Sequence, residues 1–260
     1  MKISVVTISY NQAGYLKQCI DSVLSQDHSN IEYIVVDPGS TDGSREIIES
    51  YGDRIIKIFE PDTGPANGLN NGFNRATGEI LYFINSDDYV YPGAFKHAVD
   101  AFKNDKELGV FLAAGHRVDA SGNINKTFYP SSISKYSYVY GAVTLFQQGM
   151  FFSSEAFKKA GGFNESNKTC WDGELLLNFI TSGAKLKRSM KKVGAFRIYP
   201  ESITGSQRFA AKYNQDKERL FESVYGKNQK KIQILSYYYR AAKIVGDPIY
   251  TIRRLLGDSL

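Results

Sequence analysis

Cysteine is scarce and scattered. The two residues, Cys19 and Cys170, are far apart and form no CxxC pair. Neither a disulfide scaffold nor a zinc site is indicated, and a reducing compartment fits. The three histidines, His28, His97 and His116, lie in unrelated contexts without ligand spacing, which points to surface or satisfied core positions. No run reaches the roughly eighteen apolar residues of a membrane span. The N-terminus, Met1-Lys2-Ile3-Ser4-Val5-Val6, enters a strand-like pattern at once, with no basic leader and no cleavage site. No signal peptide is evident, and a cytoplasmic location is expected. The GxGxxG and GxxxxGK patterns are absent, which removes the dinucleotide fingerprint and the P-loop. There is no internal repeat and no low-complexity segment.

What is present is the composition of a folded domain. The chain has 260 residues, 42% hydrophobic and 23% charged, enough for one large α/β domain, or one domain with an appendage. Apolar runs at Ile3–Ile8, Ile31–Val36, Ile55–Phe59 and Glu79–Ile84 read as strands. Tyr15–Leu24, Ser44–Tyr51, Asn67–Ala76 and Pro92–Phe102 read as helices between or after them. Cys19 shares a helical stripe with Leu16, Ile20 and Val23, so a buried free thiol is expected. Alternating strands and helices predict a mostly parallel sheet covered on both faces. Ligands of such sheets sit beyond the carboxyl ends of the strands. Beyond Val110–Val118 and Ile124–Tyr129, read as two strands joined by a turn, the pattern weakens. Ser131–Tyr140 reads as a mobile loop able to close over a ligand, Asp172–Ile180 as a helix, and Lys185–Tyr199 as one or two strands.

Asn85-Ser86-Asp87-Asp88 ends the run Ile80–Ile84. Adjacent carboxylates at the mouth of a buried strand repel each other and lose water. They can serve as turn or cap residues, but their place after a buried strand favours a divalent metal carrying a diphosphate. Asp88 is expected to hold the metal and Asp87 to face the ribose or sugar. Asp37 ends the second strand, where a carboxylate can accept from a ribose hydroxyl or base N–H. Asp42 and Ser44 suit an Asx-turn and an N-cap. The small residues from Asp62 to Gly72 open a helix whose free N–H groups can approach a nucleotide, or mark an ordinary helix start. Asp172 is equally readable as an N-cap and as a general base beside Trp171, which would stack on a sugar face.

The ordered set Val5–Asn11, Val35-Val36-Asp37-Pro38-Gly39-Ser40-Thr41-Asp42-Gly43-Ser44 and Asn85-Ser86-Asp87-Asp88 resembles the family 2 glycosyltransferases of the GT-A fold. The resemblance covers roughly residues 1–200. It implies an inverting transfer from a nucleoside-diphosphate sugar, UDP-linked by expectation, to a glycan or lipid-linked acceptor in cell-surface polysaccharide biosynthesis. By this likeness Thr7, Ser9, Tyr10, Asn11 and Asp37 hold the nucleotide, and Asn67 and Asn70 line the same pocket. Asp87 and Asp88 then form a DxD-type motif for Mg2+ or Mn2+, Gln148 lies on the acceptor side, and Asp172 is the catalytic base. Pro38 stands where many members carry a second Asp, and Tyr199 where many carry His. A sugar nucleotidyltransferase or a non-catalytic sugar-nucleotide-binding module are the rival readings.

The formal charge of +5 is uneven. Residues 226–260 hold seven basic and two acidic residues, so this tail accounts for the whole excess. The expected division is a GT-A domain over 1–205 and a basic helical extension over 206–260. The extension either packs on the domain or meets an anionic membrane on its inner face. No nucleic-acid-binding module accompanies it.

Overall fold

The computed structural model describes residues 1–202, 206 and 209–256. The expected boundary at 205/206 abuts residues outside that set, and the last four residues of the extension also lie outside it.

The first half repeats a strand–helix unit. Strands β1 (Ile3–Ile8), β2 (Ile31–Val36), β3 (Ile56–Ile58) and β4 (Ile80–Asn85) are parallel, in the order β3-β2-β1-β4. They are near-continuous apolar runs because helices cover both faces. Helix α1 (Ala13–Leu24) buries Leu16, Cys19, Ile20 and Val23 against one face, as its stripe predicts. Cys19 is a buried free thiol, its pKa pushed up to about 12, chiefly by burial. Helix α2 (Ser44–Ser50) packs by Ile48 on the same side. Helix α3 (Pro65–Phe73) covers the other face with Leu69 and Phe73. Its glycines serve packing: a Cβ on Gly72 would stand 2.5 Å from Val6, and one on Gly68 would stand 3.3 Å from Ile8. These two glycines allow the helix to approach β1 closely.

The second half is mixed. It comprises β5 (Tyr89–Val90), helix α4 (Ala94–Asn104), β6 (Leu108–Val118), β7 (Ile124–Phe128), helix α5 (Lys135–Val139), β8 (Met150–Ser153), helix α6 (Ser154–Ala160), helix α7 (Trp171–Thr181) and β9 (Lys185–Arg197). The sheet runs on as β4-β8-β6-β9-β5, with β7 on β6. β8 is antiparallel to both neighbours, and β9 is parallel to β6. The parallel expectation therefore describes β1–β4, and the other strands bend it into a mixed sheet. Residues 185–197 are one long strand. The expected loop at 131–140 is fastened instead: Ser134 and Ser137 form a capping box for α5, and Val139 and Tyr140 are buried.

Three helices close the described chain: α8 (Ala210–Tyr225), α9 (Gln233–Gly246) and α10 (Pro248–Leu256). Leu220 and Phe221 of α8 pack with Val139, Tyr140, Cys170 and Leu177. Asp247 caps α10, accepts 2.7 Å from the Ser132 N–H and pairs with Arg188. The inner faces of these helices therefore pack on the domain. No helix among the described residues is long and apolar enough to cross a membrane.

Candidate active site

β1 and β4 are adjacent, with Ile8 opposite Asn85. The chain leaves β1 for β2 on one side, while β4 on the other side is entered from β3 through α3, so the strand order reverses between β1 and β4 and opens a crevice at their carboxyl ends. The loops Ser9–Asn11 and Ser86–Asp88 leave the sheet side by side there. Two buried oxygens at this rim, Ser9 Oγ and Asn85 Oδ1, have no hydrogen-bond partner among the described residues. A buried polar atom left unpaired costs about 1–3 kcal/mol, so both are suited to a polar ligand. Tyr10 beside them is 62% exposed.

The two carboxylates are held differently. Asp88 is 1% exposed and engaged through both oxygens. Its Oδ1 accepts from the Arg197 backbone N–H at 2.8 Å and its Oδ2 from the Gln148 amide at 2.6 Å. It braces β4 to β9 and to the segment before β8, and Oδ1, which accepts a single hydrogen bond, keeps a lone pair for the cation expected at Asp88. Gln148, expected on the acceptor side, is buried and turned to Asp88. Asp87 is half-buried and accepts from the Tyr199 hydroxyl at 3.2 Å and from its own backbone N–H. Burial raises the Asp87 pKa, while Tyr199 and the Arg197 guanidinium oppose the rise. Burial, then the charge of Asp87, push the Asp88 carboxyl well above the usual range. Such a pair holds a proton more readily than two charges unless a cation intervenes.

Arg197 and Tyr199 organise this corner. The Arg197 guanidinium donates to the carbonyls of Asp87 (2.9 Å) and Ala120 (2.7 Å) and to Gln18 (2.6 Å), and lies over the Tyr15 ring at 4.6 Å. Tyr199 also donates to Gln12 at 3.0 Å and packs against Tyr15. Their spacing of two along an extended chain was the available signal, since it puts both on one side.

Other expected nucleotide contacts divide. Asn11 adopts φ +52°, its Oδ1 accepts from the Thr41 N–H, and its own N–H donates to Ser40 Oγ. It ties the β1 loop to the β2 loop at the rim. Asp37 has no exposed surface: both oxygens accept from Ser40, with Gly39 N–H and Arg45 on Oδ1, so it shapes its own loop. The Thr7 hydroxyl points into the α1 face, 3.0 Å from the Tyr33 hydroxyl. The Asn70 amide spans Phe163 N–H, Phe163 carbonyl and Glu165, tying α3 to that segment. Asn67 caps Thr63 N–H at 3.1 Å at the start of the same helix. Trp171 is 8% exposed and sits in the apolar cluster with Phe83 and Met150.

Asp172 lies in the first turn of α7, half-buried. Burial raises its pKa, opposed by the N–H groups of Gly173 and its own residue, so it is a stronger base than an ordinary carboxylate. Its charge is felt by Tyr138 and Tyr213. The helix start is fixed by groups that sequence reasoning missed. Glu174 accepts both Arg219 nitrogens at 2.6 Å, and Asn164 and Asn167 add their amides. Asp216 accepts from Thr169 at 2.7 Å. Helix α8 thereby clamps the segment that presents Asp172. The three histidines each have a hydrogen-bond partner outside this crevice.

Comparisons with known proteins agree with this layout. The profile described as glycosyl transferase family 2 matches residues 4–161, more than half of the chain. An uncharacterized glycosyltransferase of Nostoc sp. is 40% identical over 136 residues, covering 51% of this chain and 41% of its own. One from Rickettsia typhi is 29% identical over 186 residues, covering 68% and 58%. The chain thus spans about two-fifths to three-fifths of the length of these two relatives. Among solved structures, S. aureus TarS 1-349 in complex with UDP-GlcNAc superposes with a TM-score of 0.69 at 20% identity, over 100% of this chain and 74% of that one. The mannosyltransferase PcManGT of Pyrobaculum calidifontis, in complex with GDP-Man and Mn2+, gives 0.62 at 18%, over 94% and 74%. These two likenesses bear on the fold, which is the GT-A glycosyltransferase fold.

Proposed function

The chain belongs to glycosyl transferase family 2, and from that premise we propose that it moves a sugar from a nucleoside-diphosphate sugar to a hydroxyl of a glycan or lipid-linked acceptor, with inversion. The observation that carries this reading is the pair of unpartnered buried oxygens, Ser9 Oγ and Asn85 Oδ1, at the crevice beside the half-buried Asp87. Tyr10, exposed at the same rim, is positioned to stack on a nucleobase. UDP is the favoured nucleotide, in keeping with the UDP-GlcNAc of the TarS structure; cell-surface polysaccharide is the product we propose.

No three acidic, histidine or cysteine side chains among the described residues form a ready cation cage. That fits a Mg2+ or Mn2+ completed by substrate, since such ions take one or two carboxylates plus phosphate oxygens. Asp87 would hold it, with Asn85 Oδ1 within the same rim. When bound, the ion would offset charge on the departing diphosphate. The protein's own contribution is a base: Asp172 takes the acceptor hydroxyl proton as that oxygen bonds to the anomeric carbon and the bond to diphosphate breaks. Such a base contributes about 10²–10⁴-fold in rate. Residues 1–205 would form the catalytic unit, and a lipid-linked acceptor would draw the basic extension to a membrane's inner face. Family membership favours transfer over donor synthesis or simple binding.

The test is release of nucleoside diphosphate from a panel of UDP-, GDP- and dTDP-sugars with lipid-linked and soluble glycan acceptors. Acceptor-dependent release with one donor supports the proposal. Tight donor binding without turnover across the panel would favour the binding-module reading.

A further inference from the structure

We propose that the outer faces of α9 and α10 form a docking surface for an anionic lipid bilayer. The idea sharpens the membrane contact suggested above but is independent of sugar transfer. Sixteen large apolar side chains are exposed among the described residues, and ten of them lie between Ile232 and Leu256. On α9, Ile234, Tyr237, Tyr238, Ala241 and Val245 recur at three- and four-residue spacing and form one stripe. Ile234 is 70% exposed and Val245 is 82% exposed. The opposite side of α9 is already occupied, with Leu235 and Tyr239 packed towards Tyr140. On α10, Tyr250 turns inward while Ile249, Ile252 and Leu256 face out. These two helices are therefore apolar on the side that the fold uses and apolar again on the side it leaves open.

Charge identifies the occupant. Lys227, Lys230, Arg240 and Arg254 are exposed along the same helices and the turn before them. The sole carboxylate between residues 226 and 256 is Asp247, which is buried and paired with Arg188. The surface thus offers cations and no anion. Tyrosines beside aliphatic side chains, flanked by lysine and arginine, match a bilayer interface, where rings sit at headgroup depth and basic groups meet anionic lipid. A second copy of the chain fits worse, because a self-complementary contact sets like charges against each other.

The measurement is co-flotation of the full chain with vesicles of phosphatidylcholine alone and of phosphatidylcholine mixed with phosphatidylglycerol, without donor or acceptor. Binding is expected on the mixed vesicles, weakly on the neutral ones, and is reduced by high salt. Ile234→Asp with Val245→Asp should weaken it by about tenfold or more through the lost insertion. Lys230→Glu or Arg240→Glu should each weaken it by at least about fivefold. All these side chains are exposed, so thermal unfolding should be unchanged. Absence of flotation on the mixed vesicles, or flotation unaffected by either class of variant, overturns the proposal. So does a dimer in light scattering that Val245→Asp dissolves while the wild type ignores vesicles. None of these readouts depends on turnover, so a failed donor panel and a failed flotation are separate results.

Discussion

Around Glu174 every buried charge has its complement: two Arg219 nitrogens, the amides of Asn164 and Asn167, and Asp216 held by Thr169. At the sheet rim the opposite holds. Ser9 and Asn85 bury oxygens with no partner among the described residues, beside the half-buried Asp87. The first arrangement is architecture, since breaking any link strands a charge. The second gains its missing partners only from something that binds. Asp172, two residues before Glu174 in the first turn of α7, is a base of raised pKa presented by the satisfied cluster.

The largest effect that sharpens this contrast is on rate. Asp172→Asn should lower kcat by about 10²–10⁴-fold with donor affinity nearly intact, as steady-state kinetics and calorimetry would check. In the wild type, activity should rise with pH as Asp172 loses its proton, over a range above that of an ordinary aspartate because burial raises this carboxyl. Arg219→Ala attacks the satisfied cluster and leaves Glu174 unpaired. Arg219 is partly exposed, so we expect about 2–3 kcal/mol of lost stability, read by denaturant unfolding, and a loss of rate through a loosened α7. Full stability in that variant would erase the distinction between the clusters.

A second satisfied carboxylate gives a pH test. Burial raises the Glu32 pKa, but hydrogen bonds from Lys2, Ser4 and Thr77 outweigh it and bring it to about 2 from 4.5. A depressed carboxylate pKa stabilises the fold above the unfolded value and loses that contribution as pH falls from about 4.5 to about 2. Glu32→Gln should therefore flatten acid unfolding in that window and cost about 2 kcal/mol or less at neutral pH. The smallest effect is at the rim: Ser9→Ala should leave the fold as stable as before or more stable, since an unpaired buried hydroxyl is gone, and weaken UDP binding by about 1 kcal/mol. If it destabilises the fold instead, the Ser9 hydroxyl is structural.

Period and run length made much of the fold legible. β1, β2 and β4 are apolar runs bounded by turns, and α1 carries one clean stripe. β5 has two residues and β8 four, too short to show a period. Where both faces of a strand are buried, alternation no longer says which way a side chain points, which is why Thr7 was expected at a ligand and is found beside Tyr33. The rim loops were legible as a set because Asp, Asn and Ser collect after buried strands. Which of Asp87 and Asp88 faces outward was not, because it depends on Gln148 and Arg197 arriving from distant strands. Arg219, in a helix far along the chain, left no trace at Glu174.

The most direct test of the central claim, that Asp87 at the open rim is a carboxylate that engages a cation and diphosphate, is calorimetry of UDP binding with and without Mn2+. The wild type should bind UDP more tightly with Mn2+, and Asp87→Asn should lose that gain while unfolding at the same temperature or higher, since a half-buried charge is gone. Undiminished Mn2+-dependent UDP binding by Asp87→Asn would contradict the account.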